Sequence, residues 1–180
     1  MEMTEKSKRK RVALTGFMGV GKSTVARHLG RILGERWIDL DDAIESTAKR
    51  SVVEIVDNEG IEVFRLLESN ALKRILEDDK NTIISLGGGA FTSAANRKML
   101  ADGGVTSIWL GATFEHCWAN IRSSYKERPL ARDRKQAERL FAEREKHYCL
   151  ADWHFLIMSG CSSFTVAGQI ADQVYGVTVE

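Results

Sequence analysis

Gly16-Phe17-Met18-Gly19-Val20-Gly21-Lys22-Ser23 decides how the rest of this 180-residue chain is read. Its spacing is G-x-x-x-x-G-K-[ST], and its flanks give that spacing a structural context. Upstream, Arg11-Val-Ala-Leu-Thr15 is a short apolar run. Downstream, Val25, Ala26, Leu29, Ile32 and Leu33 recur at helical spacing as far as Gly34. A strand, a glycine loop and a helix in that order make a phosphate cradle. The glycines let backbone N–H groups converge on phosphate oxygens, and the helix adds the positive end of its dipole. Lys22 offers a compact charge to the outer phosphates, and Ser23 a hydroxyl for the Mg²⁺ that travels with a nucleoside triphosphate. The expected triphosphate-binding stretch is Gly19, Val20, Gly21, Lys22, Ser23 and Thr24.

Reading outward, strands and helices alternate. Trp37-Ile-Asp-Leu40 reads as a second strand, followed by helices over about 41–48, 51–57 and 60–78, the last striped by Ile61, Phe64, Leu67, Ala71 and Ile75. A third strand, Thr82–Leu86, ends in Gly87-Gly88-Gly89. A helix over 93–101, a strand over 105–110 and a helix over 113–122 follow. Residues 123–134 carry the only proline and no apolar periodicity, which predicts a mobile surface loop. A helix over 134–148, a fifth strand over 153–158 and a helix over 164–175 complete an alternation that demands an α/β fold with a parallel sheet. Ligands of such sheets gather beyond the carboxyl ends of the strands.

Composition places limits on function. Hydrophobic residues at 43% and charged residues at 28% describe an ordinary globular protein, and 180 residues suit one domain. A net charge of +1 leaves no broad field to hold nucleic acid or an anionic membrane. The basic run Lys6, Lys8, Arg9, Lys10 and Arg11 is expected to be a solvated flank. Residues 1–10 lack an apolar signal core, and no stretch has the length needed to span a bilayer, so a cytoplasmic location is expected. Cys117, Cys149 and Cys161 form no CxxC pair and read as buried or idle thiols. His28, His116, His147 and His154 are dispersed and read as ordinary histidines rather than zinc ligands. Trp109, Trp118, Trp153 and Phe155 are expected in the core.

The polar residues at strand ends are the candidates for chemistry. Asp39 and Asp41 share a face if the extended conformation continues through them. One could then bind magnesium while the other accepts a proton from a substrate hydroxyl. Alternatively Asp41 or Asp42 caps the next helix, with Asp42 the better placed. The triple glycine permits close approach of a ligand to the backbone, but a tight turn explains it equally well. Arg65, taken alone, reads as a surface arginine.

With the phosphate loop, Asp39-Leu-Asp41-Asp42, Phe64-Arg65, the triple glycine and Arg128-Pro129-Leu130 in this order, the chain resembles shikimate kinase over residues 11–175. The resemblance implies a three-layer P-loop kinase fold of the nucleoside-monophosphate-kinase style, with five parallel strands. It implies ATP and shikimate as partners and Mg²⁺ as cofactor, with the γ-phosphate passing to the 3-hydroxyl of shikimate. Asp39 then lies near the metal with Ser23, and Asp41 binds shikimate hydroxyls as the candidate base. Arg65 and Arg144 hold the shikimate carboxylate, for which a guanidinium offers paired donors. Gly87, Gly88 and Gly89 wall the acceptor pocket. Arg128 belongs to a mobile lid over about 122–134, and Arg122 lies against the adenine. The catalytic set implied is Lys22, Asp41 and Arg128, within one domain over 11–180 whose substrate-binding region is about 41–78. A monomer without nucleic-acid or membrane partners is expected.

Three departures bear on specificity. Val56 stands where the family carries an aromatic, Ala131 follows Arg128-Pro129-Leu130 where leucine is usual, and Lys146-His147 replaces a common proline. Two rivals stay open: a kinase of another small hydroxy acid such as gluconate, and a nucleotide-binding regulatory module that transfers nothing.

Overall fold

The computed structural model describes residues 10–178 except 79, 81, 126 and 159. Within them the chain runs β1 (Arg11–Thr15), α1 (Lys22–Leu33), β2 (Trp37–Asp39), α2 (Leu40–Ala48), α3 (Val52–Glu59), α4 (Ile61–Glu77), β3 (Ile83–Ser85), α5 (Ala94–Asp102), β4 (Val105–Gly111), α6 (Phe114–Ser123), α7 (Arg134–Tyr148), β5 (Trp153–Leu156) and α8 (Ser163–Tyr175). Short 3-10 turns occupy Ala90–Thr92 and Pro129–Ala131.

All strand pairs are parallel, in the order β2-β3-β1-β4-β5. Parallel strands need crossovers, and the helices that make them cover the apolar faces of the sheet. The middle strand shows why: Val12, Ala13 and Leu14 of β1 are wholly buried, paired with Ile83, Ile84 and Ser85 on one side and with Thr106, Ser107 and Ile108 on the other. Leu29 of α1, Leu40 of α2 and Leu72 of α4 are also fully buried. Truncating such a leucine to alanine costs about 2–5 kcal/mol, so these helices are fixed to the sheet, and with them the loops at their ends. Because β1 is central, the loop after it opens where the chain turns outward to both sides of the sheet.

The sequence misplaces some boundaries, each for a local reason. Strand β2 stops at Asp39 rather than at residue 40, because the Asp39 carboxylate accepts hydrogen bonds from the N–H groups of Asp41 and Asp42 and starts α2 at Leu40. Strand β5 stops at Leu156, short of the expected 158. It lies at the edge of the sheet, which leaves Trp153 half-exposed rather than in the core, its ring stacked on buried Phe155. Trp109 and Trp118 are only partly buried.

Of the basic run, Lys6, Lys8 and Arg9 lie outside the described residues. Lys10 and Arg11 are not loose: Lys10 donates to the Val174 carbonyl at 2.5 Å, and Arg11 donates to the Ile75 and Leu76 carbonyls at the end of α4. Cations at helix C-termini meet carbonyls that lack helical partners. Cys117 is buried, which pushes its thiol up to about 11, whereas Cys149 is exposed. No helix among the described residues is long and apolar enough to cross a membrane.

Candidate active site

The glycine loop joins β1 to α1, and backbone geometry accounts for its composition. Gly19 has φ +81°, and a Cβ there would stand 2.4 Å from the Cys117 carbonyl oxygen of α6. No L side chain fits that conformation or that space, so α6 packs directly on the loop. The Asn120 side-chain N–H₂ secures the contact by donating to the Gly19 carbonyl at 2.8 Å. Lys22 opens α1 and is buried, its ammonium donating to the Gly16 and Phe17 carbonyls at 2.9 and 3.1 Å. Burial lowers its pKa to about 8, and Arg128 acts in the same direction, against the opposing charges of Asp41 and Asp39. A buried ammonium so placed is poised for an anion that restores its lost solvation.

Beside the lysine, Ser23 donates to Asp39 Oδ2 at 2.5 Å, and Ser85 donates to the same oxygen at 2.9 Å. The other oxygen, Oδ1, caps α2. The cap of α2 is therefore Asp39, and neither Asp41 nor Asp42, while its second oxygen stays turned toward Ser23 and Ser85. The donors fit Mg²⁺: a hydroxyl and one carboxylate suffice when phosphate oxygens and waters complete the shell. No group of three or more acidic, histidine or cysteine side chains gathers among the described residues, so an all-protein metal cage is not on offer. This loop and its carboxylates line a cleft that extends to Asn120, Ile121 and Ser163.

A second, smaller cavity of about 60 Å³ adjoins it, lined by Asp41, Arg65, Glu68, Arg144 and the turn from Arg128 to Leu130. Met18, Val52 and Val56 of α3, Phe64 and the glycine wall complete it, so seven segments contribute. Arg65 of α4 donates to Glu68 Oε2 one helical turn on, at 2.7 Å. Arg144 of α7 is 6% exposed, and its desolvation acts to lower its pKa. Tyr148, one turn further along α7, donates its hydroxyl to the Gly88 carbonyl and lies against Arg144. Arg128 stands 3.9 Å from Asp41. Three guanidinia thus meet two carboxylates, Asp41 and Glu68, which leaves the cavity suited to one further carboxylate. Glu68 is 1% exposed, its Oε1 has no hydrogen-bond partner among the described residues, and burial raises its pKa.

The triple glycine forms a turn, with the Ala90 N–H donating to the Gly87 carbonyl at 3.2 Å, but glycine is required there for room. None of the three has a positive φ. A Cβ on Gly89 would stand 2.1 Å from Arg65 Nη2, and one on Gly87 would stand 2.7 Å from Asp41 Oδ1 and 2.8 Å from Glu68 Oε1. The backbone must press against these side chains to close the wall.

Asp39, Asp41, Lys22, Ser23 and Thr24 line the cleft together with Gly19 and Gly21. Val20 does not: its side chain packs beneath the loop. Asp39 and Asp41 reach the site although the strand ends between them, because α2 begins there and carries Asp41 inward. Arg122 is exposed and lies outside the cleft, whose wall at that point is Asn120, Ile121 and Ser123. The segment after α6 is not wholly at the surface, since Ala131 is buried. Sequence reasoning missed Glu68, Ser85 and Tyr148. Helical spacing from Arg65 and Arg144 could have found the first and last. Ser85 pairs in register with Asp39 across β2 and β3.

Comparison with known proteins agrees with this geometry. The family described as shikimate kinase matches residues 18–175. Among curated relatives, a shikimate kinase of Persephonella marina is 32% identical over 163 residues, covering 91% of this chain and 98% of that one. One of Geobacter metallireducens is 40% identical over 144 residues, covering 78% and 79%. Among solved structures, shikimate kinase from Acinetobacter baumannii in complex with shikimate superposes with a TM-score of 0.83 at 26% identity, covering 95% and 96% of the two chains. With a phosphate loop after its central strand, a cavity suited to a carboxylate beside it and relatives matched almost end to end, this chain belongs to the shikimate kinase family.

Proposed function

We propose that the protein transfers the γ-phosphate of ATP to the 3-hydroxyl of shikimate. The observation that carries this reading is the position of Asp41, whose carboxylate borders both the phosphate cleft and the adjoining cavity, with Arg128 beside it. Arg65 and Arg144 hold the acceptor carboxylate and so orient the ring, with Gly87–Gly89 as its wall. Asp41 accepts a hydrogen bond from the reacting hydroxyl and takes up its proton as the oxygen attacks phosphorus. Lys22 and Arg128 balance charge on the phosphoryl group in flight. Mg²⁺, held by Ser23 and Asp39 directly or through water, neutralises the phosphates when bound. Residues 122–134 serve as the lid that excludes water. The same reading makes the enzyme a cytoplasmic monomer without nucleic-acid partners, which sedimentation of the purified chain tests in part.

A coupled assay of ADP release from Mg-ATP with shikimate, gluconate or nucleoside monophosphates decides the acceptor. Turnover with shikimate alone is expected. Turnover with gluconate in its place overturns the reading.

A further inference from the structure

Pro129–Ala131 forms a 3-10 turn between α6 and α7, and it carries Arg128 and Leu130 over the acceptor cavity. It packs on α7 and on α3. Ala131 is buried, its N–H donating to the Arg128 carbonyl at 2.9 Å, and Leu130 is half-buried. Beyond the turn the chain is secured, since Asp133 caps α7 and Arg134 donates to both oxygens of Glu115 on α6 at 3.1 and 2.6 Å.

Arg132 ties the turn down on its near side. Arg132 donates through Nε to Glu127 Oε1 at 2.9 Å. Glu127 and Arg132 flank the turn, so their contact closes it into a hoop. The two terminal nitrogens of Arg132 donate to the two oxygens of Asp57 at 3.1 and 2.7 Å. Asp57 lies on α3, whose Val52 and Val56 face the same cavity. The hoop is thereby pinned to the opposite wall of the pocket by a two-point fork, the geometry in which a guanidinium imposes direction as well as attraction.

We propose that Asp57 and Arg132 are positioning residues for the phosphoryl transfer: their fork seats the 127–132 hoop on α3 and so sets Arg128 and Leu130 over the bound acceptor. The inference rests on the shikimate kinase reading of the site. An exposed ion pair usually contributes little to the stability of a whole domain. Here it acts on a smaller balance, between a seated and an unseated hoop, so even a weak pair is expressed in acceptor binding. Val56 sharpens the point. With a small side chain on this face of α3, the hoop meets less apolar surface, and the charge pair on the outer rim carries more of its seating.

The test compares wild type, Asp57→Asn, Asp57→Glu, Arg132→Gln and the Asp57→Asn/Arg132→Gln double variant by shikimate-dependent ADP release at low and high KCl. At about 20 mM salt, Asp57→Asn should raise the KM for shikimate about threefold to fivefold, with a smaller change in the KM for ATP. At about 500 mM KCl the wild-type value should rise to meet that of the variant, because screening removes the same attraction. Asp57→Glu should keep most of the wild-type value, the double variant should be no worse than Arg132→Gln, and the melting temperatures should agree. Equal KM values at low salt overturn the positioning role, and so does a difference that persists at high salt, which marks a purely structural effect. A wild type that turns over shikimate separates that failure from failure of the catalytic reading. A wild type that does not sinks both.

Discussion

The donor cleft and the acceptor pocket share a wall but are built from different materials. The donor cleft is centred on one loop, continuous in sequence: Met18, Gly19 and Gly21 to Thr24 line it, with Gly19 at φ +81° packed on a carbonyl of α6, and Asp39, Asp41, Asn120 and Arg128 complete the wall. The acceptor pocket is mostly side chains, drawn from α2, α3, α4, the glycine wall, the turn from Arg128 to Leu130 and α7. A backbone site offers amide dipoles to any phosphate. A side-chain site holds a particular arrangement of charge, here three guanidinia against two carboxylates. The first therefore fixes the kind of chemistry, and the second fixes the molecule on which it is done.

Two substitutions should split the halves. Lys22→Ala removes the buried ammonium that we propose meets the outer phosphates, and turnover should fall about 1000-fold or more. Shikimate binding measured by calorimetry should stay close to wild type, and the melting temperature should not drop, because burial already disfavours this charge. Loss of shikimate binding in this variant would mean that the two halves are not separable. Arg65→Ala is the converse. It removes the guanidinium proposed to hold the acceptor carboxylate, so the KM for shikimate should rise about 10- to 100-fold while ATP affinity is retained. A change confined to ATP would place Arg65 in the wrong half.

That contrast also explains what could be read from the sequence. The donor cleft was legible because its residues are adjacent and its strand and helix have unambiguous periods. The parallel sheet was legible from the alternation of those periods. The acceptor pocket was not legible by spacing, because Arg65, Arg144 and Gly89 meet only after α4 and α7 pack around the wall. Taken alone Arg65 reads as a surface arginine, and only the resemblance to a family assigned it. Glu68 and Tyr148 escaped both routes: a buried acid is legible only once its helix face is known. The cap of α2 was misassigned to Asp42 for another reason, since Asp39 supplies it through one oxygen while its other oxygen faces Ser23.

Glycines in the two regions offer a finer test. At Gly19 a methyl group meets positive φ and a fixed backbone carbonyl, so Gly19→Ala costs about 1–2 kcal/mol for the conformation alone, before the clash. At this size each kcal/mol corresponds to about 2–4 °C, and a visibly lower melting temperature is expected. At Gly89 φ is −116° and the methyl group meets only the Arg65 guanidinium. Gly89→Ala should leave the melting temperature nearly unchanged and raise the KM for shikimate about tenfold through misplacement of that guanidinium. If Gly89→Ala instead unfolds the protein, glycine is needed there for the backbone turn and not for the guanidinium.

The smallest expected effect concerns Glu68, which belongs to the acceptor half but never has to touch the donor. Burial raises its pKa above the ordinary 4.5, with Arg65 opposing. Below that ordinary value both folded and unfolded states carry the proton, and the group costs nothing. As pH rises through the window between 4.5 and the raised folded value, the unfolded chain ionises first, so stability falls, and above the folded value the cost is constant. Glu68→Gln removes this titration while also weakening the bond to Arg65, which sets a constant offset. The melting-temperature difference between variant and wild type should therefore move in favour of the variant by a few degrees as pH rises from about 4 to 7, whatever its starting sign. A difference independent of pH would mean that Glu68 is ionised as readily in the folded pocket as in water, and that Arg65, not burial, controls its charge. In that case the acceptor pocket is held together by the ion pair before any substrate arrives.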